Sequence, residues 1–193
     1  MGIIGLQNLD GTIMPDSSFV QTIAGGVVSL ATTLAVAWWS EHVKRTRDAR
    51  GTAYALRASI SSLLSIVRTR RYEKGIESRI ETMRTGQLVG PLQVRVRRNY
   101  LDAYNKHIEK LGELDGDLPQ QIATFFTNIN SLLEDVDNAA DGKLAHYNVS
   151  QLLEWEIEFH ELLTSTMLLG EGIVFAINDR YPPRKPLWMK IPG

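Results

Sequence analysis

Glu156 and His160 stand four residues apart on one predicted helix face, a spacing at which a carboxylate and an imidazole could share a metal ion. A ferritin-like centre needs Glu-x-x-His twice, and the pattern occurs nowhere in the chain. Ile157 occupies the position from which a Glu would complete it with His160. His107 and His146 have no carboxylate partners at ligand spacing. His160 is therefore expected on a solvated helix face, and no metal or other cofactor is expected.

Other catalytic signatures are missing. There is no G-x-x-x-x-G-K-[ST], no G-x-S-x-G, and no G-x-G-x-x-G after a strand; Gly170-Glu171-Gly172 lacks both the third glycine and the strand. The chain has no cysteine, which excludes disulfides, thiolate-ligated zinc, iron–sulfur clusters and thiol catalysis. Two basic patches carry aromatics, Arg68 to Lys74 with Tyr72, and Arg95, Arg97 and Arg98 with Tyr100 and Tyr104. Such patches can grip phosphates and stack bases. The near-neutral chain argues instead for solvated faces or lipid contact, so no nucleic-acid partner is expected. These absences point to a protein that is not an enzyme.

The stretch that organises the chain is Ser17 to Ser40, SSFVQTIAGGVVSLATTLAVAWWS, which has no Asp, Glu, Lys or Arg. At a helical rise of about 1.5 Å per residue, Phe19 to Trp39 spans roughly 30 Å, the thickness of a bilayer's hydrocarbon core. The sequence thus predicts a transmembrane helix over 17–40. Trp38 and Trp39 sit where an interfacial aromatic belt belongs, and Lys44, Arg45, Arg47 and Arg50 follow at once. Positive charge on that side predicts a single-pass protein of the inner, cytoplasmic membrane, with residues 1–16 outside and the remainder in the cytoplasm. Gln21, Gly25, Ser29 and Thr32 recur every three to four residues, a small and weakly polar face suited to pairing with another helix. A cleaved signal is the competing expectation, because Ala35-Val36-Ala37 has the form signal peptidase accepts; against it, no Lys or Arg precedes residue 44. Met1-Gly2 lacks the Ser or Thr that myristoylation requires at position 6, where Leu6 stands.

Beyond this stretch the charge is divided. Residues 41–107 hold fifteen Lys or Arg against six Asp or Glu, and residues 108–179 hold two against fourteen. The basic half is expected to attract anionic headgroups, or to pair with the acidic half within the chain or between protomers.

Periodicity predicts helices throughout, and no segment alternates convincingly with period two. Ala53, Leu56, Ile60, Leu63 and Val67 are spaced three, four, three, four, a coiled-coil or bundle seam, with Gly51 as a flex point before it. Ile76, Ile80 and Met83 either extend this helix or begin another, and Thr85-Gly86 marks a stop. A helix opening at Pro91 is expected to bury Leu92, Tyr100, Leu101, Tyr104, Ile108 and Leu111. The next opens at Pro119, runs to about Asn138 and carries Ile122, Phe125, Phe126, Ile129, Leu132, Leu133 and Val136. The last is capped by Asn148 or Ser150, with Leu152, Trp155, Phe159, Leu162, Leu163, Met167 and Leu169 on the core side and Glu154, Glu156, Glu158 and Glu161 on the wet side. The expected fold is all-α: an N-terminal tail (1–16), a transmembrane helix (17–40), an antiparallel bundle of about four helices (41–180), and a Pro-rich tail (181–193) in which Trp188 and Lys190 could meet a partner or the membrane surface.

Ala53 to Glu77, AYALRASISSLLSIVRTRRYEKGIE, and His107 to Asp135, HIEKLGELDGDLPQQIATFFTNINSLLED, resemble segments of uncharacterised single-pass bacterial membrane proteins with a helical cytoplasmic part. The resemblance extends over about half of the chain, implies a bacterial or phage origin, and carries over no functional residue. The expected role is a membrane-anchored scaffold or interaction protein that contacts membrane lipids and binds copies of itself or another membrane protein. The alternative is a membrane-acting effector, of phage-lysis or host-defence type, that oligomerises through its transmembrane helix.

Overall fold

The computed structural model describes residues 17–87, 89–90 and 101–182, with side chains from Thr32 onward. Among them every regular element is helical: α1 (Ser17–Thr69), α2 (Tyr72–Arg84), α3 (Asp102–His107) running into a 3₁₀ segment (Ile108–Glu113), α4 (Leu118–Ala140) and α5 (Val149–Arg180). The chain divides into two units, Met1–Arg45 and Thr46–Gly193.

In the first unit every described side chain is exposed, Leu34, Val36, Trp38, Trp39 and Val43 among them. Trp38 stacks on His42, and Arg45 pairs with Glu41 one turn back at 3.1 Å. The side chains of Gln21, Gly25 and Ser29 lie outside the described ones; Thr32 is exposed.

The second unit begins within α1, which runs through Gly51 without a break. The predicted seam is its buried face: Ala53, Leu56 and Ile60 are fully buried, Leu63 and Leu64 nearly so, and Val67 packs against them. Helix α1 ends because Arg71 takes a left-handed conformation (φ 55°), so Ile76, Ile80 and Met83 belong to a separate helix. The Thr85-Gly86 stop falls where expected. Of the helix predicted to open at Pro91, residues 91–100 lie outside the described ones; beyond them α3 covers Asp102–His107, Leu111 is buried as expected, and Ile108 is exposed rather than buried.

Helices α4 and α5 form closely as their sequences predict. Pro119 sits in the first turn of α4, where its missing N–H costs no bond. At the start of α5 a capping box forms, with the Gln151 N–H donating to Asn148 Oδ1 and the Asn148 N–H donating to Gln151 Oε1, both at 3.0 Å. Gly170 and Gly172 do not interrupt α5. Gly170 is required by packing, since a Cβ there would stand 2.6 Å from Phe125 of α4 and 3.0 Å from Leu64 of α1.

Contacts along α5 set the topology. Tyr54 meets Tyr181, Arg57 meets Asn178, Arg68 meets Glu171, Glu77 meets His160 and Arg79 meets Glu156. Numbers rise on one side as they fall on the other, so α1 from Tyr54 onward and then α2 run antiparallel to α5. Helix α4 packs on α5 in the same sense, Asp117 beside Arg180 and Phe125 beside Gly170. Two of these links, Arg68 with Glu171 and Arg79 with Glu156, join a cation of the basic half to a carboxylate of the acidic half within the chain.

By length and composition, α5 is the helix among the described residues that could cross a membrane, with a third of its most apolar window buried inside the protein. That helix is C-terminal, whereas the segment expected from the sequence to cross the membrane is 17–40, much of which has no described side chains. The apolar content of α5 has a use within the fold: Phe159, Leu163, Met167, Ile173 and Ile177 are core residues of the second unit.

Candidate functional site

One feature of the second unit that departs from a plain apolar core is a charged pair at its α2–α5 seam. Glu156 is not on the wet side of α5 as expected. The buried stripe of α5 steps through Glu156, Phe159, Leu163, Thr166, Gly170, Ile173 and Ile177 in threes and fours, and Glu156 occupies its first place. Glu154, Glu158 and their like take the wet side; Glu156 is 3% exposed.

A carboxylate so placed needs a partner, and α2 provides one on its facing side. Arg79 donates from Nε to Glu156 Oε1 at 2.7 Å, and from Nη2 both to the same oxygen and to the Gly90 carbonyl, the latter at 2.9 Å. Both bonds to the carboxylate land on Oε1. Oε2 is buried without a hydrogen-bond partner.

One turn along, His160 is also drawn inward rather than left on a solvated face. Its ring is about three-quarters covered, and Nε2 lies 3.6 Å from Glu77 Oε1, too far for a hydrogen bond. Glu156 and His160 thus each face a residue of α2. Among the described residues, no group of three metal-ligating side chains converges on a point.

Beside the Arg79–Glu156 pair lies a pocket of about 260 Å³, between the end of α2, the end of α4, the α4–α5 turn and the start of α5. Met83, Leu144, Leu152 and Trp155 form its apolar wall, and Arg79 and Glu156 its charged one. Leu152 and Trp155, expected in the core, are half-buried because they line this pocket.

A second polar cluster ties down the far end of α5. Tyr181 is buried; its hydroxyl accepts from the Asp115 N–H at 3.0 Å and donates to Asp115 Oδ2 at 3.1 Å, while its carbonyl accepts from the Tyr54 hydroxyl at 2.9 Å. Burial pushes the Tyr181 phenol up. Arg180 donates to the Asp115 carbonyl at 2.8 Å and to Asp117 Oδ1 at 2.7 Å, and this bond holds the Asp117 carboxyl below its usual range. Gly116, at φ 66°, makes the turn under the Arg180 guanidinium. Tyr181, expected in the Pro-rich tail, belongs instead to a cluster that no local pattern reveals, because it depends on residues 54, 115 and 181 meeting in space.

Of the residues singled out in the sequence, Leu56, Ile60 and Leu63 are in the core and Val67 packs against it half-buried. Lys44, Arg45 and Arg47 are exposed, whereas Arg50 is half-buried with Nε lacking a hydrogen-bond partner. Trp188 and Lys190 lie outside the described residues. No protein-family model, curated protein or solved structure matches the chain.

Proposed function

We propose that this chain is a non-enzymatic, membrane-anchored scaffold or interaction protein. Residues 17–40 cross the inner membrane once, the N-terminus lies outside, and the helical unit stands at the cytoplasmic face, where it binds a partner or further copies of itself. The observation that supports this reading most is the exposure of Leu34, Val36, Trp38, Trp39 and Val43 on a stretch of α1, Thr32 to Arg47, in which every side chain is exposed. Fully covering one large aliphatic side chain contributes about 1.5–3 kcal/mol. A helix that exposes several such groups in succession is stabilised by an apolar surrounding, and an uncharged segment of bilayer length finds one in lipid. The exposed Lys44, Arg45 and Arg47 then meet the headgroups, at about 1 kcal/mol each near an anionic surface. Gln21, Gly25, Ser29 and Thr32 offer the face through which the anchor would pair with another helix.

The test is topology. With a tag at each end, protease treatment of intact spheroplasts is expected to remove the N-terminal tag and spare the C-terminal one, and deletion of 17–40 is expected to release the protein from carbonate-washed membranes. Retention of the deleted protein in those membranes would transfer the anchoring role to α5 and overturn the reading.

A further inference from the structure

We propose that the chain's own C-terminal segment, residues 184–191, docks along the outer face of α5, over Leu168 and Phe175. That face lies wholly in the second unit, and the proposal does not depend on how the chain is anchored.

The docking face is a stripe that the described elements leave uncovered. Glu161, Ser165, Leu168, Gly172, Phe175 and Asp179 follow one another in alternating steps of four and three, which puts all six on one side of α5, and all six are exposed. Leu168 is 64% exposed and Phe175 75%, ahead of Ile108, the next large apolar side chain exposed in the second unit. A Cβ on Gly172 would meet nothing within 4 Å, so the ground between them is open. The stripe is thus apolar at its centre and acidic at both ends, with the spacing by which a helix receives another segment.

Charge order and reach identify the occupant. The tail reads Arg184-Lys185-Pro186-Leu187-Trp188-Met189-Lys190-Ile191, which is basic, then apolar, then basic. Laid antiparallel to α5, it brings Arg184 and Lys185 to Asp179, Leu187 to Met189 over Phe175 and Leu168, and Lys190 toward Glu161. The single Arg or Lys of α5, Arg180, is already held by Asp115 and Asp117, so it does not compete for these acids. Tyr181 fixes where the tail starts, because it is buried and bonded through both its hydroxyl and its carbonyl, and Pro182 emerges exposed. At about 1.5 Å per residue, Phe175 lies about 9 Å back along α5 from Tyr181 and Leu168 about 20 Å. A Pro-rich segment advancing about 3.1 Å per residue puts Trp188 about 22 Å from Tyr181, and a reversal that uses about two residues sets it between Phe175 and Leu168. The tether also favours the tail over a second copy of the chain. A stripe with two large apolar side chains falls far short of the roughly 800 Å² per partner of a stable interface, whereas an attached segment is present at an effective concentration near millimolar.

The chain has no cysteine, so introduced pairs report proximity without background. Ser165→Cys puts a thiol on the stripe. Ser131→Cys puts one off it, on exposed α4 at about the same level of the bundle, since Phe125 of this antiparallel helix stands beside Gly170. Each is combined with Ile191→Cys in the full chain, held in lipid nanodiscs, and disulfide closure under mild oxidation is timed by intact mass. The Ser165 pair is expected to close at least about tenfold faster than the Ser131 pair, because docking concentrates the tail at one of two positions equally within its reach. Phe175→Ser, at an exposed position outside the core, should remove the difference. Equal rates for the two pairs, as a stripe covered by lipid would give, a difference that survives Phe175→Ser, or faster closure between chains than within one when two share a disc would each overturn the proposal.

Discussion

Replacing Arg79 by Leu should be among the most damaging single changes in the second unit, and the reason lies in the unequal exposure of the pair. The Glu156 side chain is 4% exposed and that of Arg79 is 21%. Without Arg79, both carboxylate oxygens of Glu156 are buried with no partner, since Oε2 has none to begin with. An uncompensated buried charge of this kind costs about 3–5 kcal/mol. The converse change, Glu156→Leu, strands a guanidinium that sits nearer solvent on a long stem and keeps its bond to Gly90, so it should cost less, about 1–2 kcal/mol. Exchanging both for Leu removes the charges together and should fall within about 1 kcal/mol of wild type or above it. The order expected in urea denaturation of the full chain in micelles, followed by helical circular dichroism, is therefore Arg79→Leu least stable, Glu156→Leu next and the double variant near wild type. The cycle should return a coupling of at least about 3 kcal/mol. Two single variants each within about 0.5 kcal/mol of wild type, with additive effects, would refute the buried pair.

Two glycines of α5 should respond with opposite sign. Gly170→Ala drives a Cβ into Phe125 and should lose about 1–3 kcal/mol, whereas Gly172→Ala meets nothing within 4 Å and should gain about 0.5–1 kcal/mol; thermal melts of the two variants decide it. Tyr181→Phe leaves the Asp115 N–H without its acceptor and should cost about 1–2 kcal/mol by denaturation. Because burial raises the Tyr181 pKa above 10.0, its contribution is fully present below pH 10 and is lost as pH rises through the folded value, so alkaline titration should destabilise wild type more steeply than Tyr181→Phe. For Asn148→Ala, which removes the capping box, the expected loss is about 1 kcal/mol, with no change if the start of α5 is already frayed.

Local pattern was enough to place most of the helices. The three-four spacing of Ala53, Leu56, Ile60 and Leu63, the Thr85-Gly86 stop, Pro119 and the Asn148 cap are signals written within a turn or two of chain, and each appears in the fold where its neighbours require it. The alkyl core followed, because apolar residues on one stripe of a helix have only one place to go. The site was less legible. Continuing the α5 stripe backward from Phe159 lands on Glu156, so its burial could have been read from spacing; the flanking Glu154, Glu158 and Glu161 disguised it as one more solvated acid.

What the sequence determined by itself was helix content, the helix starts and stops, the uncharged segment over 17–40 and the division of charge, all of which depend on neighbours along the chain. Only the tertiary structure decided that the two charged halves meet inside one chain, that Arg79 reaches Glu156 and leaves one oxygen unpaired, and that Tyr181 closes on Asp115 and Tyr54. Those outcomes depend on the register between α2 and α5 and between α1 near Tyr54 and the end of α5. Register is set by the sum of many weak side-chain contacts across helices, and no single segment contains that sum.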